Sequence, residues 1–398
     1  MSISEDRTSH CEYCKGVLIT EKELETGSHQ SCLDSIIDFH NSLASNIEYF
    51  RLDQNEYLSI LQLEELNSLV ADEFRSEQNN ILSVSLYNNK ISSITIDFQH
   101  VAGINDNFTL IPDMKPIFTN FNGLMSLNLK NANFPVIDKF LNIPNNIFFL
   151  NLSGNNLDSI PQSVFKHPNV RILNLSNNNL SELPLHFNNF QLLNSLHLNS
   201  NRLSYLPRFL MNFKKIKTLK LSKNKFTAFP NPIMFLNHLA DLDLSYNSIS
   251  SIPLNIKYLT YLSTLNLSNN MIKTMSDSFQ DLKNLKLIDL SYNQLYSVPA
   301  SLLNQEKIYA MNLSNNRITN LLALPRGLTS LNLSNNQIQN LPETLFYNMI
   351  KLTNVNLSNN NLRTLPQSLL DLPNLKFLKV NGNPLKESRK LKSSGLII

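Results

Sequence analysis

Every cysteine of this 398-residue protein lies in one short stretch near its start, CEYCKGVLITEKELETGSHQSC. The stretch places Cys11, Cys14, His29 and Cys32 in the spacing C-x2-C-x14-H-x2-C. Tetrahedral zinc prefers thiolate and imidazole ligands, and two close pairs on either side of a short hairpin can surround one ion. The spacing therefore predicts one structural zinc ion, with four filled positions and none open for catalysis.

Other interpretations of these residues stay open. His10, adjacent to Cys11, is the rival to His29 as the fourth ligand. A redox C-x2-C motif would need a surrounding βαβ pattern, which the sequence lacks, and the thiols can also be a chance grouping. Three cysteines in one stretch cannot form a disulfide framework for a chain of this length, which favours a reducing compartment.

This stretch resembles the first finger of a LIM domain, or a treble clef reduced to one zinc ion. It lacks the second finger of LIM domains and the second metal site of RING domains, so the resemblance implies no ubiquitin-ligase activity. We assign residues 1–40 to this zinc-finger-like segment.

Most of the remaining chain repeats one pattern, L-x-x-L-x-L-x-x-N-x-L, as in VRILNLSNNNL at 170–180 and LSTLNLSNNMI at 262–272. Counting from Ile81, thirteen repeats begin, and the spacing is 23 residues from Leu124 through Ile308. The L-x-L core has the period of two that places alternate side chains on opposite faces of a strand. Stacked repeats of this kind share one continuous core.

Two residue types recur at fixed positions and have structural roles. An asparagine follows the strand in every repeat except the one at Leu124, which has Ala132 there, and its amide can donate and accept hydrogen bonds to backbone groups in a buried turn. A proline then ends the extended part, and the chain is expected to return as a short helix or 3₁₀ turn. The asparagines are Asn89, Asn155, Asn178, Asn201, Asn224, Asn247, Asn270, Asn293, Asn316, Asn336, Asn360 and Asn383.

These repeats resemble those of intracellular leucine-rich repeat proteins, including the Ras-group members. The resemblance implies an α/β solenoid, a horseshoe with a parallel concave sheet, over residues 81–385, with one degenerate region at 95–123. It also implies a non-enzymatic scaffold that binds a protein partner in signalling, such as a small GTPase or a phosphatase. Residues 386–398 form a basic tail.

An α-helical cap is expected before the first repeat, because a solenoid needs a terminal element with a polar outer face. LDSIIDFHNSL at 33–43 and NEYLSILQLEELNSLVADEF at 55–74 place apolar residues at helical spacing. We assign residues 41–80 to this cap.

The candidate partner-binding residues lie around one basic repeat, FKKIKTLKLSKNKF. From Leu183 to Ala240 the chain contains eight Lys or Arg residues and no acid. This indicates either an electropositive patch for an acidic protein surface or a solvated basic face. The candidates on the concave face and its rim are His197, Lys217, Lys220, Lys223, Lys225, Asp241, Asp243, Tyr246 and Tyr292.

The bulk composition weighs against several other classes of protein. A net charge of +3 is too balanced over 398 residues to favour a nucleic-acid partner. Nucleotide-binding, nucleophile-elbow and metalloprotease motifs are absent, so no enzyme is expected. Two alternatives remain: a polyanion-binding protein that uses the finger and the basic patch, or the specificity subunit of an enzyme complex.

A cytoplasmic location is expected from the start of the chain, MSISEDRTSH, which lacks the features of a secretory signal. No apolar run is long enough to span a bilayer. The recurring Asn-Leu-Ser triplets match the N-glycosylation sequon, but we expect them to be unmodified and to reflect the repeat itself.

Overall fold

The computed structural model describes residues 81–87, 90–96, 126–130 and 147–386. The zinc-finger-like segment, the helical cap, most of the degenerate region and the tail after Lys386 lie outside the described residues, and their assignments stay predictions. The chain divides into two compact units, residues 1–152 and 153–398, which are described in turn.

The first unit contains an antiparallel pair that the repeat pattern did not predict. Strands β1 (Ile81–Tyr87) and β2 (Lys90–Ile96) pair antiparallel, with Tyr87 opposite Lys90. Strand β2 then pairs in parallel with β3 (Ser126–Asn128), and β3 pairs in parallel with β4 (Phe149–Asn151). The expectation that a repeat beginning at Ile81 supplies the first parallel strand was therefore wrong.

The physical reason is that the L-x-x-L-x-L pattern occurs twice within a few residues, as ILSVSL at 81–86 and ISSITI at 91–96. Two such runs lie too close together to form two repeats of 20 or more residues. With two residues between the paired ends, they instead have the loop length of a tight β-hairpin. The second run supplies the strand that pairs with β3.

The described part of the second unit contains ten three-residue strands that pair in parallel in the order of the chain. Each is the L-x-L core of one repeat, and neighbouring strands keep the same register. They are β5 (Ile172–Asn174), β6 (Ser195–His197), β7 (Thr218–Lys220), β8 (Asp241–Asp243), β10 (Thr264–Asn266), β12 (Leu287–Asp289), β13 (Ala310–Asn312), β14 (Ser330–Asn332), β15 (Asn354–Asn356) and β16 (Phe377–Lys379). A second, two-stranded sheet joins β9 (Ser251–Ile252) to β11 (Thr274–Met275).

The central residue of each strand packs into the core. Leu196, Leu219 and Leu242 are fully buried, as is the leucine two residues after each of them. Burying one such side chain contributes about 1.5–3 kcal/mol. The repeated leucines therefore form the continuous core that the pattern predicts.

Most of the in-register prolines act as predicted and precede a short helical return, whereas Pro342 is followed by turns. Five 3₁₀ helices follow a proline: Gln162–Lys166, Leu185–Asn189, Arg208–Asn212, Asn231–Phe235 and Leu254–Tyr258. Two short α-helices, α1 (Ala300–Leu303) and α2 (Gln367–Leu370), follow Pro299 and Pro366.

The asparagine after each strand ties its own turn to the preceding repeat. The Asn247 side-chain oxygen accepts a hydrogen bond from the backbone N–H of Phe226 at 3.1 Å. Its side-chain nitrogen donates to the carbonyl oxygens of Leu221 at 3.1 Å and Leu244 at 3.0 Å. The same three-way arrangement recurs along the described repeats of the second unit, which confirms the predicted structural role of the asparagines there.

Candidate functional site

The open face of the sheet, opposite the core, is formed by the first and last residues of each three-residue strand. Counted within a repeat that begins at Val170, these are the third and fifth positions. The sequence placed His197, Lys220 and Asp243 at the fifth position of successive repeats. The structure confirms this placement, because the three residues are register partners on β6, β7 and β8.

The fifth position has a structural rule that most repeats obey. An Asn or Asp oxygen there accepts a hydrogen bond from the backbone N–H two residues later, at 2.9–3.2 Å. In four repeats an Asn does so while the following serine hydroxyl also donates to it. The residues that follow the rule are Asn174, Asp243, Asn266, Asp289, Asn312, Asn332 and Asn356.

His197 and Lys220 break this rule in two adjacent repeats, and Lys379 breaks it in the last repeat. A lysine ammonium cannot accept a hydrogen bond at all. The His197 Nε2 atom lies 2.9 Å from the Ser195 hydroxyl oxygen, so the ring is held along the strand. At these two adjacent positions the open face therefore lacks the recurring hydrogen bond, and one of the two side chains is positively charged.

His197 is half-buried on β6, and this changes its protonation. Burial disfavours the charged imidazolium and, with a smaller contribution from Lys220, lowers the pKa of His197 to about 4, while Asp241 opposes the shift. At neutral pH the ring is uncharged. The positive charge of this surface therefore comes from lysines.

Lys220 forms an ion pair with Asp241 on the neighbouring strand. The Lys220 Nζ atom lies 2.5 Å from Asp241 Oδ2, and the two side chains are 29% and 31% exposed. The pair is diagonal, because the register partner of Lys220 is Asp243. The other Asp241 oxygen, Oδ1, is buried and has no hydrogen-bond partner.

Four lysines cross the basic repeat in a row, which we call the lysine row: Lys217, Lys220, Lys223 and Lys225. Lys217 and Lys220 are half-buried on and beside β7, whereas Lys223 and Lys225 are exposed in the turn that follows. Lys214 and Lys215 precede the strand and are also exposed. The structure thus places the predicted lysines along one repeat, from the open face to its rim.

The rim is formed by the eighth position, where every repeat of the second unit adopts a left-handed backbone. The φ angles are 53–56° at Asn177, Ser200, Lys223, Tyr246, Asn269, Tyr292, Asn315, Asn335 and Asn359, and 72° at Gly154 and Gly382. This conformation is common for Gly and tolerated by Asn but costs other residues free energy. The recurring Asn and Gly were the sequence signal for it, and it was missed.

Lys223, Tyr246 and Tyr292 share this rim column, as the sequence predicted. Tyr246 is 54% exposed and Tyr292 is 56% exposed. The Lys223 ammonium lies 5.5 Å from the centre of the Tyr246 ring, within the range of a cation–π interaction. Two of these candidate residues, Lys223 and Tyr246, are therefore in contact, and Tyr292 lies two strands beyond Tyr246.

The described ranges contain no group of three or more His, Cys, Asp or Glu residues arranged to hold a metal ion. The predicted zinc ligands Cys11, Cys14, His29 and Cys32 lie outside those ranges. No helix in the described part of the chain is long and apolar enough to cross a membrane.

Comparison with known proteins identifies the class of repeat. The family model for the leucine rich repeat matches residues 145–203, 237–295 and 326–385. The repeats are therefore leucine-rich repeats, and the fold is a leucine-rich repeat solenoid with a parallel sheet. A search of curated protein sequences found no match.

Solved structures support the same fold. An internalin from Listeria monocytogenes aligns over 79% of this chain and 94% of its own, with 20% identity and a TM-score of 0.60. A plant peptide hormone receptor, RGFR1 in complex with RGF2, aligns over 68% of this chain and 49% of its own, with 25% identity and a TM-score of 0.54. The chain thus spans about half the length of that receptor chain.

A third match is a chain from the octameric complex of Latrophilin 3, Unc5D and FLRT2, in which FLRT2 contributes a leucine-rich repeat region. It is 29% identical over 61% of this chain and 77% of its own, with a TM-score of 0.53. Leucine-rich repeat domains are generally protein-interaction modules, and a shared fold does not select a partner.

Proposed function

We propose that this protein is a non-enzymatic scaffold that binds a protein partner on the open face of its second unit. The proposed contact surface is the lysine row together with His197, Asp241 and Asp243, and the rim residues Tyr246 and Tyr292. The observation that carries the proposal is the adjacent pair of departures at His197 and Lys220; Lys379, in the last repeat, departs from the rule by itself. Seven other repeats place an Asn or Asp there that supports the turn, so the fold gives no reason for these two side chains.

The charges favour an acidic patch on the partner opposite the lysine row. Lys223 and Lys225 are exposed, and the ion pair of Lys220 with Asp241 is partly open to solvent. Complementary charges of this kind speed association and select the partner. Exposed tyrosines beside them supply the apolar contact area that is enriched at binding hot spots.

A cytoplasmic location is part of the proposal, with signalling proteins such as small GTPases or phosphatases as the first partners to test. Five Asn-Leu-Ser sequons of the second unit place their asparagine at the fifth position, on the open face: Asn174, Asn266, Asn312, Asn332 and Asn356. Glycans there would cover the proposed binding surface. Treatment of the native protein with an endoglycosidase should leave its electrophoretic mobility unchanged, and a shift would contradict this location.

The N-terminal segment is proposed to hold one structural zinc ion through Cys11, Cys14, His29 and Cys32. The support is the spacing of the four residues and their chemical suitability for tetrahedral zinc. A small segment of this kind can derive about 10 kcal/mol of folding free energy from the metal.

The partner-binding proposal is tested by affinity capture with the full chain, followed by quantitative mass spectrometry. The test variant combines Lys220→Asn with Lys223→Asn, because Asn is the residue that other repeats use at both positions. The matched control combines Lys257→Asn with Lys273→Asn, which removes the same charge from exposed or half-buried sites outside the open face. A partner should be lost with the test variant and retained with the control.

The alternative function is binding of a nucleic acid or another polyanion, which the lysine row favours. Phosphate contacts release counterions, so the logarithm of the affinity would fall linearly and steeply with the logarithm of the salt concentration. The remaining alternative, the specificity subunit of an enzyme complex, would be recognised by stoichiometric co-purification of a catalytic chain. The ion pair of Lys220 with Asp241 reduces the net positive charge of the row and favours a protein partner.

A further inference from the structure

We infer that Tyr246 and Tyr292 form the two walls of a slot that binds an arginine or lysine side chain of the partner. We call this the tyrosine slot. The inference rests on the proposed function, because it specifies the chemistry of a second contact on the same partner, beside the one made by the lysine row.

The backbone holds the two tyrosines in equivalent orientations. Both have a φ of 53° at the eighth position of their repeats. The N–H of Tyr246 donates to the Ser268 carbonyl oxygen and that of Tyr292 to the Ser314 carbonyl oxygen, each at 2.9 Å. Because the local geometry is the same, the two Cα–Cβ bonds leave the rim in the same direction.

The separation of the rings suits one cation. Strands β8 and β12 are separated by β10, so two inter-strand steps of about 4.8 Å place the backbones of the two tyrosines about 10 Å apart, and rings that leave the rim in the same direction keep about this spacing. The rim residue between them is Asn269, which has no ring and is half-buried. A cation midway would lie about 5 Å from each ring, within the range of about 6 Å for a cation–π contact.

The open face beside the slot is acidic. Asp241, Asp243 and Asp289 lie on β8 and β12, and the third, fifth and eighth positions of the three repeats concerned contain no Lys or Arg. Within the described residues, only Asp241 of these three forms an ion pair, the one with Lys220. Asp243 and Asp289 therefore leave a negative field next to the two rings, which complements a cationic side chain.

Lys223 shows that a tyrosine at this rim accepts a cation over its ring, since its ammonium lies 5.5 Å from the centre of the Tyr246 ring. Lys223 lies in the turn after β7, and the repeat of β7 is on the opposite side of Tyr246 from Tyr292. The partner that fits both surfaces carries an acidic group for the lysine row and a basic group for the slot, about 10–15 Å away when measured across two or three strands.

Placing tyrosines at positions 246 and 292 also costs the protein backbone stability. Five of the eleven rim positions are Asn and two are Gly, the residues that tolerate a left-handed backbone, whereas tyrosine does not favour it. Replacing both tyrosines with Asn therefore removes the slot without introducing backbone strain. In the double variant Tyr246→Asn, Tyr292→Asn, a loss of binding can therefore be attributed to the missing rings.

The test uses the immobilised full chain and a displayed library of random 12-residue peptides. Each selected peptide is resynthesised in two forms. One form retains its basic residues, and the other replaces arginine with citrulline, which keeps the shape of the arginine side chain but lacks its charge. Affinities are measured by fluorescence anisotropy. We expect selected peptides to bind at least tenfold more weakly to the Tyr246→Asn, Tyr292→Asn variant, and citrulline to cause a similar loss on the unmodified protein. Tyr→Phe at both positions should retain binding.

The control is Tyr309→Asn, which removes an exposed tyrosine that has an ordinary backbone conformation. One outcome overturns the tyrosine slot while the proposed function stands. In that outcome, replacing Lys220 and Lys223 weakens peptide binding, but replacing the two tyrosines or removing the positive charge of the peptide does not. If no recovered peptide is sensitive to either pair of replacements, the slot and the proposed open-face function both fail.

Discussion

Lys220 and Asp241 form an ion pair across two adjacent strands, and Lys220 replaces the Asn or Asp that seven other repeats have at its position. The Nζ–Oδ2 distance is 2.5 Å, yet both side chains remain about a third exposed. Partly exposed pairs contribute only about 0–1 kcal/mol to stability. The pair is therefore better suited to recognition than to holding the solenoid together.

Replacing Asn270 with Ala should strongly destabilise the second unit. The Asn270 amide accepts from the Ile249 N–H at 2.9 Å and donates to the Leu244 and Leu267 carbonyl oxygens at 2.9 and 3.1 Å. Removing it leaves these buried backbone groups without partners, which should cost about 2–4 kcal/mol in the free energy of unfolding. Chemical denaturation measures the change. Asn354→Ala, at an exposed strand position, should cost less than about 0.5 kcal/mol, and an equal loss would contradict the structural role of Asn270.

Replacing Tyr292 with Asn should stabilise the protein. Tyr292 has a φ of 53°, a conformation that Asn adopts at lower cost, so a gain of about 0.5–1 kcal/mol is expected. The control Tyr309→Asn lacks this gain because Tyr309 does not have a positive φ. Denaturant titration of both variants gives the comparison. A loss of stability in Tyr292→Asn would show that the ring is held by the fold itself.

His197 should make the protein sensitive to acid. Its pKa is lowered to about 4 by burial, so as the pH falls below about 6.5 the unfolded chain takes up a proton before the folded one does. The free energy of unfolding should fall by about 2 kcal/mol between pH 7 and pH 4.5 through this residue alone.

His197→Asn should remove that part of the acid sensitivity and supply the side-chain acceptor that other repeats have at the fifth position. Urea titrations at pH 7 and pH 4.5 measure the difference. His238→Asn is the control, since His238 is exposed outside the open face. An unchanged pH dependence in His197→Asn would show that the folded protein already binds a proton at His197.

The zinc prediction concerns residues outside the described part of the chain. The purified full chain should contain one zinc ion per molecule by elemental analysis, and Cys14→Ser should release it. His10→Ala and His29→Ala separate the two histidines, since only the true ligand should lower the zinc content. A wild-type protein without zinc, or one in which Cys14→Ser retains the metal, would contradict the site.

The sequence predicted the parts of the fold that repeat. The L-x-L core, the asparagine after it and the proline that ends the extended part each have one local physical cause, so their roles at Leu219, Asn247 and Pro253 followed from spacing alone. The pattern failed at Ile81–Ile96, where two adjacent runs fit the same template. Choosing between them requires knowing which run pairs with the next strand, and that is a long-range contact.

The sequence predicted where the candidate residues lie along the sheet, but not their ion pairing, protonation or backbone conformation. The register of β6, β7 and β8 places His197, Lys220 and Asp243 side by side, as the repeat length implied. The diagonal pairing of Lys220 with Asp241, the neutral state of His197 and the left-handed backbone under Tyr246 depend on three-dimensional packing. Those features decide which charges a partner meets.

The most direct test of the account is the affinity of the captured partner for the full chain, measured by isothermal titration calorimetry with the wild type and two double variants. The Lys220→Asn, Lys223→Asn variant should bind at least tenfold more weakly while its thermal unfolding midpoint stays the same or rises, and the Lys257→Asn, Lys273→Asn control should bind as the wild type does. Equal affinity of all three proteins for the partner would contradict the claim that the open face around Lys220 is the binding surface.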